Sequence, residues 1–355
     1  MEYMSAREAA QKWGISQRRV ATLCAENRIN EASMLGNMWL IPKFAEKPID
    51  ARSIRPCSHD EKMAKPFLKW AGGKGQLIPE ISRYYPFEDK TITKYAEPFV
   101  GAGAVLFDIL NKYKLSEVYI SDINSELINT YIIIRDNIDE LVSRLNAMQS
   151  EFLSLNAEDK KAYYLEARNS FNRAKASSDT LGNTEMAALM IFLNKTCFNG
   201  LFRVNKKGGF NVPMGSYKNP LICDENNLRA VSSALQNVKI VCGDYRASAD
   251  FIDNHTFVYF DPPYRPITKT ASFTSYTENS FDDEAQTILA QFAQQMRERG
   301  AKVLVSNSDP KNYDSFDNFF EEIYASFQIK RVEATRMINC NSEARGKISE
   351  LLILS

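Results

Sequence analysis

Seven short strand-like runs beyond residue 90 constrain the fold more than any other feature of the sequence. Each run has the length of a strand, and helical stretches such as 286–300 separate many of them. The runs span residues 94–100, 117–122, 237–243, 256–261, 301–307, 327–334 and 347–355. Strands that alternate with helices are typical of an α/β doubly wound sheet, so we predict that fold class.

The spacing of the runs also predicts how the chain is divided. Residues 128–236 lie between the second and third runs, are mostly helical and polar, and are too long for a simple crossover, so we predict an inserted subdomain. Residues 51–64 are polar and show no periodicity, which indicates a linker. The sheet domain is therefore expected over 65–127 and 237–355, with a separate module over 1–50.

The first module reads as two capped helices and a hairpin. Ser5 and Ser16 stand where helix N-caps are expected, and Gly14 stands between the two helical segments. Gly36 and Asn37 then interrupt an apolar stretch, which predicts a hairpin turn.

Two helices, a short turn and a hairpin resemble the winged helix-turn-helix modules of excisionase and MerR-type regulators. Arg18 and Arg19 open the second helix and could reach a DNA groove or its phosphates. The alternative is a solvated helix face on a dimerisation or docking module.

Composition excludes several classes of site. The six cysteines form no CxxC pair and there are two histidines, so we predict neither a metal site nor a disulfide framework. The formal net charge is zero, so a polyanionic partner would be met by local basic patches. No apolar run is long enough to cross a bilayer and the N-terminus has no signal-peptide core, so we predict a cytoplasmic protein without a membrane partner.

Two neighbouring predicted strands end in residues suited to a ligand. Gly101 and Gly103 follow the first strand, where small residues allow close approach of the backbone to a ligand. Asp122 ends the second strand, where an acid can accept hydrogen bonds from ribose hydroxyls. A structural turn and a helix N-cap are the respective alternatives. Together the two ends favour an adenosine-type ligand.

The stretch 72–75, Gly-Gly-Lys-Gly, lacks the spacing of a phosphate-binding P-loop. Trp70 and Lys74 on this glycine-rich loop could instead stack on a small zwitterion and pair with it. A mobile surface loop is the alternative.

The run 256–261 leads into the tetrapeptide Asp-Pro-Pro-Tyr at 261–264. The strand is expected to stop at Asp261, because proline has no N–H with which to extend a sheet. Asp261 and the carbonyl of Pro262 can each accept a hydrogen bond from an amino group, and Tyr264 offers a face for stacking on a flat ring. Pro263 helps to fix this corner before a substrate arrives. The alternative is a plain strand-terminating turn.

Four motifs in one order resemble the Dam-type (D12 class, alpha group) DNA adenine-N6 methyltransferases. The motifs are PFLKWAGGKGQL (66–77), EPFVGAGAVLF (97–107), YISDINSEL (119–127) and DPPY (261–264). The resemblance extends from about residue 65 to the C-terminus. It implies a methyltransferase sheet of Rossmann-like form with an inserted helical DNA-recognition subdomain, to which the helix-turn-helix module is added.

The resemblance also implies the chemistry. A methyl group would pass from S-adenosylmethionine to N6 of an adenine flipped out of duplex DNA, by direct attack without a covalent enzyme intermediate. The residues that match cofactor-binding positions are Trp70, Lys74, Glu97, Phe99, Gly101, Asp122, Asp244 and Asp261. The catalytic positions are Asp261, Pro262, Pro263 and Tyr264.

Residues 195–218 carry five Lys or Arg residues and no acid, with aromatic residues at 198, 202, 210 and 217, so they form a candidate nucleic-acid surface. By resemblance, Arg203 would contact a guanine edge and the recognition site would be GATC. The implied DNA-binding residues are Lys69, Phe198, Asn199, Leu201, Arg203 and Tyr217. A restriction endonuclease encoded elsewhere is a candidate partner.

Two other functions remain open at the level of sequence. An RNA adenine methyltransferase, or another enzyme with a similar proline-proline-tyrosine turn, would use the same corner on a different substrate. A non-catalytic DNA-binding regulator could retain the fold, although the intact residues Trp70, Lys74 and Asp122 argue against it.

Overall fold

The computed structural model divides the chain into two units, Met1–Asp60 and Glu61–Ser355. The residues that the structure describes are 3–45 without 26–28, 30, 31 and 37, then 63–88 without 71, 90–176, 182–265 without 206, 281–335 and 347–355. The predicted linker 51–64 lies almost entirely outside the described residues, as does the hairpin residue Asn37.

The helices of the first unit begin where the sequence predicts. α1 (Ala6–Trp13) starts at Ser5, whose hydroxyl accepts from the N–H of Glu8 while the Glu8 carboxylate accepts from the N–H of Ser5. This capping box satisfies two free backbone donors. α1 ends at Gly14, with φ 65°, and α2 (Gln17–Ala25) starts after Ser16, whose hydroxyl accepts from the N–H of Arg19.

A small antiparallel sheet completes the first unit. β3 (Met38–Pro42) pairs with β1 (Tyr3–Ser5) on one side and with β2 (Ser33–Leu35) on the other. The β2–β3 hairpin is the one predicted, whereas β1 has no signal in the sequence. Ala9, Val20 and Ile41 are fully buried in the core between the helices and this sheet.

All seven predicted strands of the second unit form one sheet among the described residues. They are β4 (Lys94–Glu97), β5 (Glu117–Asp122), β6 (Val238–Cys242), β7 (Thr256–Phe260), β8 (Lys302–Ser308), β9 (Gln328–Thr335) and β10 (Lys347–Leu354). Their order is β6-β5-β4-β7-β8-β10-β9. Neighbours from β6 to β8 are parallel, and β10 is antiparallel to both β8 and β9. The prediction of an α/β protein with a mostly parallel sheet is confirmed.

The central strand β7 is buried on both faces. Phe257 and Tyr259 pack into one hydrophobic core, and Val258 and Phe260 pack into a second core on the other face. Parallel sheets covered on both sides require such continuously apolar strands. Because β5 extends the sheet on one side of β4 and β7 extends it on the other, a crevice is expected at the carboxyl ends of β4 and β7.

Helices cover both faces of this sheet. They are α3 (Ile78–Ile81), α4 (Ala104–Lys112), α5 (Ser125–Asp136), α6 (Ile138–Ser154), α7 (Ala157–Lys175), α8 (Thr184–Thr196), α9 (Glu225–Leu235), α10 (Asp283–Glu298) and α11 (Phe319–Ile323). α5 to α9 lie between β5 and β6, and their buried residues join the core that contacts Phe257 and Tyr259. None of the helices in the described residues is long and apolar enough to cross a membrane.

Candidate active site

An ion pair between Lys74 and Asp261 lies at the carboxyl end of β7. The ammonium nitrogen of Lys74 is 2.6 Å from one carboxylate oxygen of Asp261 and 2.8 Å from the other. It also donates to the carbonyl of Gly72 at 2.8 Å, within the glycine-rich loop. The Lys74 side chain is only 3% exposed, so the charge pairing offsets its desolvation. Lys74 is therefore not part of a mobile surface loop.

A second contact fixes the carboxylate of Asp261. The hydroxyl of Ser306, on β8, donates to Asp261 at 2.9 Å and lies 2.8 Å from the hydroxyl of Tyr259. Ser306 is fully buried. The sequence interpretation did not single out Ser306, although a serine and an asparagine at the end of an apolar run could have pointed to it.

The other residues of the Asp-Pro-Pro-Tyr corner are also held. The side chain of Gln286, on α10, donates to the carbonyl of Pro263 at 3.0 Å. The hydroxyl of Tyr264 donates to Glu350, on β10, at 2.8 Å, and Lys74 lies 4.8 Å from the centre of the Tyr264 ring. No described residue donates a hydrogen bond to the carbonyl of Pro262, which is a buried residue.

Glu97 ends β4, the strand next to β7, and its carboxyl group is 2% exposed. Burial raises the pKa of Glu97 to about 8, and the nearby charge of Asp261 adds to the rise. A hydrogen bond from the hydroxyl of Tyr95, at 2.7 Å, acts in the opposite direction. Glu97 is therefore expected to be mostly protonated at neutral pH.

Asp122 ends β5 and contacts the glycine turn after β4. Its carboxylate accepts from the N–H of Gly101 at 3.2 Å and from the N–H of Asn124 at 2.9 Å. Burial raises the pKa of Asp122. The N-cap of α5 is Asn124, whose side chain accepts from the N–H of Leu127, so the N-cap alternative for Asp122 is wrong.

Aromatic side chains line the same edge of the sheet. Gly101 has φ 47°, and a Cβ added there would lie 3.1 Å from the Trp70 ring, so that ring packs directly on the turn. The Phe99 ring stacks on Tyr245 with centroids 5.3 Å apart.

Asp244 follows β6 and accepts from the N–H of Arg246, at the start of a short 3₁₀ helix. The N–H of Gly243 donates to the carbonyl of Asp122 at 3.0 Å, which brings the ends of β5 and β6 together. The predicted cofactor positions thus follow the carboxyl ends of four adjacent parallel strands or lie on the loop that packs against them.

Three of the residues predicted to contact DNA, Phe198, Asn199 and Leu201, lie in a turn after α8. Phe198 is 51% exposed, and Asn199 takes the left-handed conformation at φ 57°. The ammonium group of Lys69 lies 5.2 Å from the centre of the exposed Tyr217 ring. Leu201 is half-buried. Arg203 is exposed and donates to the side chain of Asn211 at 2.9 Å.

Part of the predicted basic surface is not at the surface. Phe202 and Phe210 are buried in the core, so only two of the four interleaved aromatic residues are exposed. Lys195 is half-buried, and burial lowers its pKa although the charge of Asp224 partly compensates. Lys206 lies outside the described residues. Among the described residues of the segment 195–218, the exposed cations are Arg203, Lys207 and Lys218.

The arrangement suits two ligands that meet at one corner. A carboxylate, a backbone carbonyl and an aromatic face at 261–264 are the groups that suit a flat ring bearing an amino group. The adjoining acid and glycine turn fit a ligand with hydroxyl groups. Within the described residues, no group of three His, Cys, Asp or Glu side chains could hold a metal ion.

Comparison with known proteins gives consistent matches. The family model for D12 class N6 adenine-specific DNA methyltransferases matches residues 70–338. The type II methyltransferase M.MjaIII of Methanocaldococcus jannaschii is 50% identical, over 82% of this chain and 99% of that protein. The type II methyltransferase M1.LlaDCHI of Lactococcus lactis is 38% identical, over 81% and 94%. The DNA adenine methylase of Escherichia coli K12 is 36% identical, over 82% and 96%.

The raised pKa of Glu97 predicts a pH-dependent stability. Between its ordinary pKa of 4.5 and about 8, the unfolded chain ionises Glu97 while the folded protein keeps it protonated, so Glu97 lowers the free energy of unfolding as pH rises. Glu97→Gln removes this effect. From pH 5 to pH 8 its free energy of unfolding should rise relative to the wild type by at least about 1 kcal/mol, since one pKa unit is worth about 1.4 kcal/mol.

Urea unfolding at both pH values measures this change. Glu88→Gln, at an exposed glutamate, is the matched control and should follow the wild type. A Glu97→Gln difference that stays constant between pH 5 and pH 8 would show that the folded protein ionises Glu97 normally.

Proposed function

The chain belongs to the D12 class of N6 adenine-specific DNA methyltransferases, and from this premise we propose that it methylates a flipped-out adenine in duplex DNA with S-adenosylmethionine as donor. The observation that carries the proposal is the corner 261–264, held by Lys74 and Ser306 at the crevice of the sheet. We also infer membership of the alpha group, from the order of the motifs along the chain.

The corner 261–264 is the proposed adenine pocket. The lone pair on adenine N6 is delocalised into the ring, which makes the amine a poor nucleophile. Asp261 and the carbonyl of Pro262 accept the two N6 hydrogens and draw the nitrogen toward a pyramidal geometry, with Pro263 stiffening the turn. Tyr264 stacks on the base. Because these acceptors are fixed before the base arrives, they need no reorganisation during the reaction.

The adjoining crevice is the proposed donor site. Asp122 is suited to the ribose of the donor and Asp244 to its adenine end. The charged pair Lys74–Asp261, together with Glu97, would adjoin the amino-acid end. The residues proposed to line the crevice are Trp70, Phe99 and Gly101. Gly101 packs directly on the Trp70 ring, 3.1 Å from where a Cβ would lie, so these two residues form one wall of the proposed site. S-adenosylmethionine, when bound, supplies an electrophilic methyl group.

The transfer itself is direct. With the donor bound, N6 held by Asp261 would attack the methyl carbon, a carbon–nitrogen bond would form as the carbon–sulfur bond breaks, S-adenosylhomocysteine would leave, and the N6 proton would pass to solvent. Holding the two reactants in line can contribute on the order of 7–11 kcal/mol. Flipping the adenine costs roughly a few kcal/mol, which stacking on Tyr264 offsets.

The turn after α8 is the proposed sequence-reading element, and GATC is the proposed site. Arg203 is exposed and would hydrogen-bond a guanine edge, a contact worth about 1–3 kcal/mol of discrimination. Phe198 would insert into the base stack, since half of its surface is exposed. Asn199, Leu201, Tyr217 and Lys69 complete the DNA contacts, and residues 128–236 form the recognition subdomain.

The first unit is a proposed winged helix-turn-helix that adds DNA contacts through Arg18 and Arg19. The relatives support an added module. The match to M.MjaIII covers 99% of that protein but only 82% of this chain, so this chain has a part that M.MjaIII does not match. The family model begins at residue 70, beyond this unit. A restriction endonuclease encoded elsewhere is the proposed partner if the enzyme protects a site from cleavage.

Asp261→Asn tests the catalytic role. The substitution keeps the size of the side chain but removes the charge and one acceptor, so we expect the methylation rate to fall by at least about 100-fold. DNA affinity should fall much less than the methylation rate, and circular dichroism checks that the variant stays folded without the Lys74–Asp261 charge pair. Methylation is measured on duplex DNA by sequencing with detection of modified adenines, and binding is measured by fluorescence anisotropy.

Asp250→Asn, at an exposed aspartate, is the matched control and should behave as the wild type. RNA of the same sequence should not be methylated. Near-normal methylation by Asp261→Asn would refute the assigned role.

Deleting residues 1–60 tests the role of the first unit. The remaining chain holds the whole sheet and the candidate site, so we expect methyl transfer to persist in vitro. DNA binding should weaken, and its dependence on salt concentration should become shallower because fewer phosphates are contacted. A folded truncated protein without transferase activity on any DNA would show that the first unit is needed for catalysis.

A further inference from the structure

The proposed sequence-reading turn is fastened to the loop 69–74, which carries Trp70 and Lys74. The side chain of Asn194, on α8, is 2% exposed and makes three hydrogen bonds across this junction. It accepts from the N–H of Lys69 at 2.9 Å, donates to the carbonyl of Lys69 at 2.8 Å and donates to the carbonyl of Gly200 at 3.0 Å. One buried amide therefore holds both backbones.

Close backbone packing reinforces this junction. Gly200 has φ 65°, and a Cβ there would lie 2.4 Å from Cδ and 2.9 Å from Cβ of Lys69. The preceding residue, Asn199, is also left-handed at φ 57°. Two successive left-handed residues, the first of them not a glycine, persist only where the surroundings determine the backbone. The turn is thus shaped against Lys69.

A second junction joins the residue after Lys69 to the residue two positions after Gly200. The ring of Phe202 stacks on Trp70 with centroids 5.4 Å apart and planes 20° from parallel. Lys175 lies 5.9 Å from the centre of the Phe202 ring and forms an ion pair of 2.8 Å with the buried Glu126. Glu126 is in the first turn of α5, shortly after Asp122. Phe202 therefore connects Arg203, its neighbour in sequence, to the proposed donor site.

We propose that these two junctions couple recognition of the DNA site to binding of the methyl donor, with Asn194 and Phe202 as positioning residues. This inference rests on the proposed function. DNA that holds the turn at Phe198 and Arg203 also restrains Lys69 and Phe202, and through them Trp70 and Lys74. A ligand against Trp70 restrains the same contacts from the other side, so whichever ligand binds second has less ordering left to supply.

The coupling is measured as a ratio of affinities. The probe is an unmethylated duplex that contains the recognition site, which is identified beforehand by sequencing DNA that the enzyme has methylated. S-adenosylhomocysteine replaces the donor because it has no methyl group to transfer. We expect the wild type to bind this duplex at least about 5-fold more tightly with S-adenosylhomocysteine than without it. The affinity for S-adenosylhomocysteine must rise by the same factor when DNA is present.

Phe202→Leu keeps an apolar side chain but removes the stacked ring, and Asn194→Asp keeps the size while replacing the amide donor. Each should reduce the ratio to within about 2-fold of one, without a matching loss of affinity for either ligand alone. Phe171→Leu is the matched control, because Phe171 is buried and contacts the Phe202 ring edge-on at 6.4 Å. It should keep the wild-type ratio.

The two substitutions lie in different elements, so misfolding of one variant, detected by circular dichroism, leaves the other to decide. A wild-type ratio retained by the folded variants would overturn the coupling, as would a ratio of one in the wild type. Both results are distinct from failure of the proposed function, in which the folded wild type would methylate no adenine.

Discussion

The ion pair between Lys74 and Asp261 joins parts of the chain that are 187 residues apart in sequence. A lysine buried to this extent is stable only with a partner, and removing either charge would leave the other uncompensated. The pair therefore attaches the glycine-rich loop to the end of β7. Trp70 on that loop packs on the turn after β4, so the loop contacts the ends of both β4 and β7, which are paired strands.

Three acids at the carboxyl edge of the sheet have three different environments. Glu97 is buried and forms no ion pair with another described residue, so burial raises its pKa to about 8, although the charge of Lys74 acts in the opposite direction. Asp261 is paired with Lys74 and hydrogen-bonded by Ser306. Asp122 accepts two backbone N–H groups. Different environments can give identical functional groups different roles. They fit the proposed roles of Glu97 as an uncharged side chain, Asp261 as the acceptor from an amino group and Asp122 as the acceptor from hydroxyl groups.

The sequence predicted the strands because each one is a short strand-like run, and helical segments separate many of these runs. It also identified Lys74, Asp122 and Asp261, because charged residues at strand ends or in glycine loops stand out locally. Ser306 and Asn194 were missed, since their importance depends on partners from distant segments.

The errors have the same origin. Phe202 and Phe210 look like the exposed aromatic residues around them, and only packing against Trp70 and Phe171 separates buried from exposed members of that segment. Asp122 was an equally good candidate N-cap until the backbone assigned that role to Asn124. Local patterns specify elements better than they specify which side of an element faces the core.

The most direct test of the account is a crystal structure of the protein with duplex DNA and sinefungin, a non-reacting analogue of the donor. We expect a flipped adenine whose N6 lies within about 3 Å of both Asp261 and the Pro262 carbonyl, a normal hydrogen-bond distance. The analogue's amino group, which replaces the methyl, should face that nitrogen. An analogue bound away from the corner 261–264, or an adenine held elsewhere, would contradict it.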